Sequence, residues 1–420
     1  MKKTLLALLC IVAAVLPSIQ INAQTFQLTY GGSGHDYGQH AIKTSDGGFA
    51  ILGYTNSFGT GDNDCYLIKT DDAGNVVWSK TYGGISDDKG STVIETSDGG
   101  FLLSGATLSY GPAHHNGLLI KTDANGDVAW TTVFGSNSPE YGVATREVAD
   151  GYIFAGVFNT PVFISYESDY MLSKVDFNGN IIWSKKYDLF SGTDLPKSLE
   201  TLPNGDLLIA GYRNTGNQEM ILMKTDGNGT VKWTKEYGGL GSDIANNVKN
   251  LSISCGDHDG YVIAGSTTSY GAGDADMMVL KTDTMGDLLW AKTYGEAGSE
   301  EGLTIECTAN GDFLIAGNSK SKPIGIDLLV VKTDSLGNLI WTKRYGGSLS
   351  DFQTGSDQQL IVIDGEGIVV LGTTESFGNG DQDIYFIRAD DMGTSGCNET
   401  DVPNIIVTTV TPSVSNITPT

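Results

Sequence analysis

The chain predicts an all-β fold: a seven-bladed β-propeller of four-stranded blades, with the ring closed by the N-terminal strand. Three observations carry this expectation. A tryptophan recurs as Trp78, Trp130, Trp183, Trp233, Trp290 and Trp341 at spacings of 50–57 residues, and kelch-type blades run at about 50 residues. Each repeat holds four short runs of strand character. A turn motif occurs seven times, once more often than the tryptophan.

The second repeat shows the four runs, at 91–96, 101–106, 118–122 and 127–133. They are rich in Val, Ile, Leu, Thr and aromatics and are bounded by Gly, Asn and Asp, as hairpin strands are. No sustained helical periodicity occurs after the first 23 residues. The turn after the third run is the most regular element. A basic residue, Lys69 in the first copy and Arg388 in the last, is followed two places on by Asp and three further on by Gly. The Asp accepts hydrogen bonds from the backbone just ahead, and the Gly takes the positive φ that closes the turn. The tryptophan four residues later is expected in the interface with the next blade. In the first copy of the Tyr-Gly-Gly element, at Tyr30, Phe26 holds the tryptophan position, and the last unit ends at Gly393 with no Trp strand. Residues 25–30 are therefore expected to complete the last blade.

Residues 1–23 read as a signal peptide: Lys2 and Lys3, an apolar run over 5–15, and a small-residue exit at Ala23. A lipidated Cys10 competes with it, but Leu9 stands where a small residue is needed. Residues 24–393 form the propeller, and 394–420 are a Thr/Ser/Pro/Val-rich tail or linker. The expected location is secreted or cell-surface. No later stretch approaches the ~20 apolar residues of a membrane helix. A formal charge of −25 disfavours nucleic acid and anionic lipid as partners. Export permits disulfides among Cys65, Cys255, Cys307 and Cys397; Cys255 and Cys307 fall in comparable strands of neighbouring blades.

The Asp-x-x-Gly-x-x-x-Trp turn, as in Asp71, Gly74 and Trp78, resembles the docking motif of quinoprotein-like propellers, with a turn one residue shorter. The full unit, from Tyr-Gly-Gly through Asp-Gly-Gly-Phe to Leu-Ile-Lys-Thr-Asp-x-x-Gly-Asn, more closely resembles the SBBP-like secreted propeller repeats of Bacteroidetes, over about residues 25–393. That resemblance implies a fold, not an activity. Many relatives carry a C-terminal sorting domain, and none is found up to Thr420.

Strand alternation puts the second-to-third-strand loops and the inter-blade loops on one face, the more variable and the expected binding surface. Acidic residues gather there. One ring is Asp36, Asp88, Glu140, Asp243, Glu300 and Asp351, with Asp194 one place off; it is the candidate ligand rim for a polysaccharide or a surface protein. Three Gly-rich loops supply Asp62 and Asp64, Asp274 and Asp276, and Asp381 and Asp383. Alternating oxygen donors suit calcium, though each loop offers only two carboxylates. The competing reading is that all these acids cap turns. His114 and His115 lack a third metal ligand at suitable spacing. The Gly-x-Ser-x-Gly, His-Glu-x-x-His and phosphate-loop signatures are missing, as is the adjacent cysteine pair of many quinone dehydrogenases. The expected function is a non-catalytic binding module without a resident cofactor. The alternative is a carbohydrate-active or quinone-type enzyme using the acidic rim.

Overall fold

The structure is a computed structural model that describes residues 24–112, 114–135, 138–162, 165–189, 192–255, 259–322, 324–355 and 357–418. The expected signal peptide, Cys10 and His258 lie outside the described residues. The described chain is all-β apart from one helical turn, Leu251–Ser254. The first repeat unit forms the antiparallel sheet Asp36–Lys43, Phe49–Thr55, Asp64–Thr70 and Val76–Tyr82, paired in chain order. The next five units repeat this order, with first strands starting at Asp88, Glu140, Thr193, Asp243 and Glu300. Units three and four are joined into one sheet by a single parallel bridge between Ser168 and Thr193. In the seventh unit the first strand is broken into Asp351–Phe352 and Leu360–Ile363. Phe26–Tyr30 pairs antiparallel with Asp383–Ala389 on the outer side of that sheet. The sheets pack side by side, first strand against first strand, as a propeller-type fold.

Middle strands are buried on both sides, so they read as continuous apolar runs rather than alternating ones. In Phe49–Thr55, Phe49 and Ile51 join a core with Val369 and Phe386 of the seventh unit. Ala50 and Leu52 join a core with Phe101 and Leu103 of the second. Period 2 of the strand sends alternate side chains into two different inter-sheet cores.

The Asp-x-x-Gly turns dock each sheet onto the one before it. In the first copy, Asp71 Oδ1 accepts from the N–H of Ala73 and of Asn75, and Gly74 takes φ 81°. A Cβ on Gly126 would strike the Trp78 ring of the preceding unit; Gly179 stands so to Trp130, Gly229 to Trp183, and Gly286, Gly337 and Gly393 to the later tryptophans. A tyrosine hydroxyl from the preceding unit donates to the carbonyl of the same glycine: Tyr82 to Gly126, Tyr187 to Gly229, Tyr237 to Gly286, Tyr294 to Gly337 and Tyr345 to Gly393, at 2.5–2.8 Å. Where the second unit has Phe134 in place of Tyr, Thr132 Oγ1 donates to Gly179 O at 2.6 Å. The N-terminal strand supplies the same contact to the first unit, with Tyr30 donating to Gly74 at 2.7 Å. The recurrent basic residue ties the two turns of one unit together, as in Lys69 to Asp46 at 2.8 Å and Lys121 to Asp98 at 2.9 Å.

The tail does not hang free as a linker. Glu399–Asp401, Ile406–Val410 and Ser413–Asn416 each add a fifth strand, to the outer edges of the sixth, fifth and fourth sheets in turn. An outer strand carries a row of unpaired N–H and C=O groups, and a β-branched segment such as Ile-Val-Thr-Thr-Val satisfies them. Val402 and Ile405 are buried in the core between units five and six. The disulfide Cys255–Cys307 links those same two units, with a Cα separation of 5.3 Å. Closing 52 residues contributes about 4 kcal/mol by the chain-entropy relation. Cys65 is free and buried, and Cys397 free and exposed.

The pairing of Phe26–Tyr30 with the seventh sheet generates a test. Deleting residues 24–30 strips that sheet of its outer strand and Gly74 of its Tyr30 donor. The expected product aggregates or melts well below the parent, read by light scattering and calorimetry.

Candidate functional site

The first strands line the middle of the molecule, and six of them carry a β-bulge at the same place. The pairing skips one residue between Gly38 and His40, Gly90 and Thr92, Gly142 and Ala144, Pro196 and Ser198, Ala245 and Asn247, and Gly302 and Thr304. The extra residues are Gln39, Ser91, Val143, Lys197, Asn246 and Leu303. A bulge turns its extra side chain out of the ladder and re-aims it. Here four of the six, Gln39, Ser91, Val143 and Lys197, line one cavity of about 360 Å³. Thr354 and Gly355, from the broken strand of the seventh unit, line it too. The bulges lie near the starts of the first strands, so the cavity opens toward the inter-unit loops.

Asp357 forms the floor. It is fully buried and is held by five other units, Thr304 of the sixth donating to its backbone carbonyl at 3.4 Å. Arg146 grips both carboxylate oxygens, at 2.9 and 3.2 Å. Ser198 Oγ donates to Oδ1 at 3.1 Å. Asn247 Nδ2 donates to its backbone carbonyl at 2.7 Å, and His40 Nε2 stands 3.7 Å from Oδ2. Burial opposes the charged carboxylate, but the Arg146 guanidinium and the His40 ring together outweigh it and hold Asp357 far below the usual range. Burial lowers the pKa of His40, against the pull of Asp357, and favours a neutral imidazole.

One layer deeper, Arg146 and Lys249 alternate with Glu200 and Glu306. Lys249 Nζ lies 2.8 Å from Glu306 and 3.4 Å from Glu200, and Arg146 lies 3.8 Å from Glu200. These positions are Ile42 and Ile94 in the first two units. An ionic chain therefore runs across four consecutive units. Its groups neutralise one another, which is the condition for keeping charges so deep.

The expected rim residues sit elsewhere. Asp36, Asp88, Glu140, Asp243, Glu300 and Asp351 are all buried between sheets. Asp36, Asp88, Asp243 and Asp351 each accept from the backbone N–H four residues earlier, at Gly32, Gly84, Gly239 and Gly347. Glu300 accepts likewise from the Glu296 N–H. Serines of the second-to-third-strand loops add bonds, such as Ser57 to Asp36 at 2.6 Å and Ser269 to Asp243 at 2.7 Å. Of the loop acids, Asp62, Asp274 and Asp381 are exposed, while Asp64, Asp276 and Asp383 are buried. The buried three close their own loops, accepting from the N–H of Thr60, Ala272 and Asn379 at 2.8–3.0 Å.

The two acidic sets meet in pairs across inter-sheet glycines. A Cβ on Gly31 would overlap Asp383 and Asp36 together; Gly83 stands so between Asp64 and Asp88, and Gly295 between Asp276 and Glu300. Burial raises the pKa of Asp276 and Asp383, and the facing Glu300 and Asp36 raise them further. Burial, with Asp243 and Glu236 adding, lifts Glu219 to about 7. In the fourth unit the glycine is replaced by Asp188. Among the described residues, Asp188 with Asp169 and Asp194 is the one group of three acids whose oxygens lie within 4.8 Å of one another. Lys186 pairs with Asp169 there at 2.9 Å. His115 is half-buried beside Tyr141, ring centroids 5.4 Å apart; His114 sits on the same loop.

No family model matches the chain, and no curated protein matches it. Among solved structures, the chain is similar to a subtype N11 neuraminidase-like protein of A/flat-faced bat/Peru/033/2010 (H18N11), at 13% identity and a TM-score of 0.43, over 90% of this chain and 96% of that one. It is also similar to a β-fructofuranosidase of Bombyx mori, at 14% identity and TM-score 0.26, over 90% and 77% of the two chains. A tail fiber of a Staphylococcus aureus phage aligns at 10% identity and TM-score 0.21, over 77% and 93%. Such distant likenesses carry no activity across. Among the described residues no helix is long and apolar enough to cross a membrane.

The Asp357 grip has a measurable weight. Arg146→Met leaves a buried carboxylate without its cation, and the expected loss is about 3–5 kcal/mol of stability, read by urea denaturation. A loss below about 1 kcal/mol would show that the layer holds nothing together.

Proposed function

We propose that this chain is an exported, seven-bladed propeller, closed by its N-terminal strand, that works as a non-catalytic binding module at the cell surface or beyond it. Its ligand seat is the cavity at the inter-blade mouth of the central channel, and its ligand is a glycan. The observation that carries this is the state of the acids around the cavity. Among the described residues Asp357 is the one carboxylate that lines it, and Arg146 and Ser198 already occupy both of its oxygens. Sugar cleavage needs two carboxyl groups free to trade protons or attack, and this seat offers none. Its remaining polar groups are amides, hydroxyls and one ammonium, which suit sugar hydroxyls. Ring closure is supported by Tyr30 on Gly74 and by the bond from the Gly38 N–H to Thr373 Oγ1 at 3.3 Å, between the first and seventh units. The test is a polysaccharide panel scored for both binding and release of reducing ends. Binding without turnover, lost when Ser91→Trp fills the cavity at an unchanged Tm, is the expected result; turnover abolished by the same substitution would make it an enzyme.

Calcium is a second role for the acids, favoured by the paired carboxylates. Oδ1 of Asp36, Asp243, Asp276 and Asp351 is buried without a hydrogen-bond partner, and each of these groups faces a second carboxylate across a glycine. A hard cation between Asp276 and Glu300, or between Asp383 and Asp36, would offset that repulsion. Calcium should then raise Tm over that in a chelator, and Glu300→Gln should shrink the increment. Identical melting in both buffers removes the role.

A further inference from the structure

We infer that the channel cavity selects an acidic sugar, a hexuronic acid, and that the Lys197 ammonium holds its carboxylate. This rests on the proposed binding role and names the ligand class for the same seat.

Lys197 is the extra residue of the bulge in the fourth unit, so its side chain leaves the ladder and lines the cavity. The other cations near the channel are spent: Arg146 on Asp357, Lys249 on Glu306, and Lys89 on Asp87 at 2.8 Å. Lys197 makes no ion pair or hydrogen bond among the described residues. Its neighbour is the Tyr212 ring, 5.9 Å from Nζ to the centroid. Burial pushes its pKa down, with Glu301 opposing weakly. An ammonium partly withdrawn from water and without an ion-pair partner is destabilised, and a ligand carboxylate relieves that cost.

The rest of the lining supplies what a sugar ring needs. Ser91 presents a hydroxyl, Gln39 an amide whose Nε2 already donates to Thr354 Oγ1, and Tyr141 an aromatic face. Asn159 and Ser168 are bonded to each other, Ser168 Oγ donating to Asn159 Oδ1 at 2.5 Å, and Asn159 Nδ2 donates to the Pro139 carbonyl, so this part of the wall is held rigid. The floor does not compete for Lys197, because Asp357 is already saturated. About 360 Å³ is at the small end of ligand sites, room for one or two sugar rings. A second cavity of about 290 Å³ adjoins it, sharing Gln39, Ser91, Tyr141 and Thr354 and reaching Lys89 and His115.

The probes are glucuronate and glucose, titrated calorimetrically into the full chain. The expected result is glucuronate binding at least about tenfold tighter, a difference of about 1.4 kcal/mol. Lys197→Met should bring glucuronate to the level of glucose, and Lys197→Arg should keep the preference, with the Tm of each variant measured alongside. Equal affinities in the parent, or a preference that survives Lys197→Met, overturn the inference. If both sugars bind equally and Ser91→Trp abolishes both, the binding role stands and the carboxylate preference falls. If neither sugar binds, or Ser91→Trp changes nothing, both fall. Should Lys197→Met not fold, the parent preference and Lys197→Gln decide the matter.

Discussion

The fold depends on one repeated handshake, a glycine turn of each sheet set against the aromatic ring and hydroxyl of its neighbour. The left-handed glycine presses its Cα onto the preceding tryptophan, and a tyrosine hydroxyl takes its carbonyl. The glycine is required twice over, for its positive φ (81° at Gly74) and for the space a Cβ would fill. The tyrosine is replaceable provided a donor reaches the same oxygen, and Thr132 does this for Gly179 beside Phe134. Each such contact is a buried hydrogen bond worth roughly 1 kcal/mol net, but it also sets the angle between sheets. Repetition turns a small local preference into the global arrangement.

Much of this could be read in the amino-acid sequence because it repeats. Asp71, Gly74 and Trp78 recur with fixed spacing, so their roles are over-determined. The role of Phe26 and Tyr30 was legible for the same reason: they stand where a unit lacks its last strand. The carboxylates of the two acidic sets were legible as sets. Their burial and face-to-face pairing were not, because pairing joins one unit to the next and spacing does not report depth.

The channel was not legible, because it is where the repeat breaks. Asp357 lies in the interruption between Asp351–Phe352 and Leu360–Ile363, where the seventh unit departs from the repeat pattern. Arg146, Glu200, Lys249 and Glu306 occupy the position of Ile42 and Ile94, and read singly they look like surface charges on strand ends. A signal was present: alternating charge at one register position in four consecutive units. The bulges at Gln39, Ser91 and Lys197 leave no composition mark either, apart from the small residue or proline before them. The tail was misjudged on composition alone. Thr, Val and Ser fit a linker, but they equally fit strands once an open edge exists for them to pair with.

The pairing of Phe26 with Arg388 has a consequence for biogenesis. The Phe26–Tyr30 segment finds its partner strand only after more than 350 intervening residues have been made. Until then its apolar face has no permanent home, and loop-closure entropy delays the encounter even after synthesis ends. The middle units can consolidate as they appear, each against the one before it. The seventh sheet must wait for the first strand, and the fourth to sixth sheets for the strands over 399–416, so maturation ends with both ends of the chain settling onto sheets already formed.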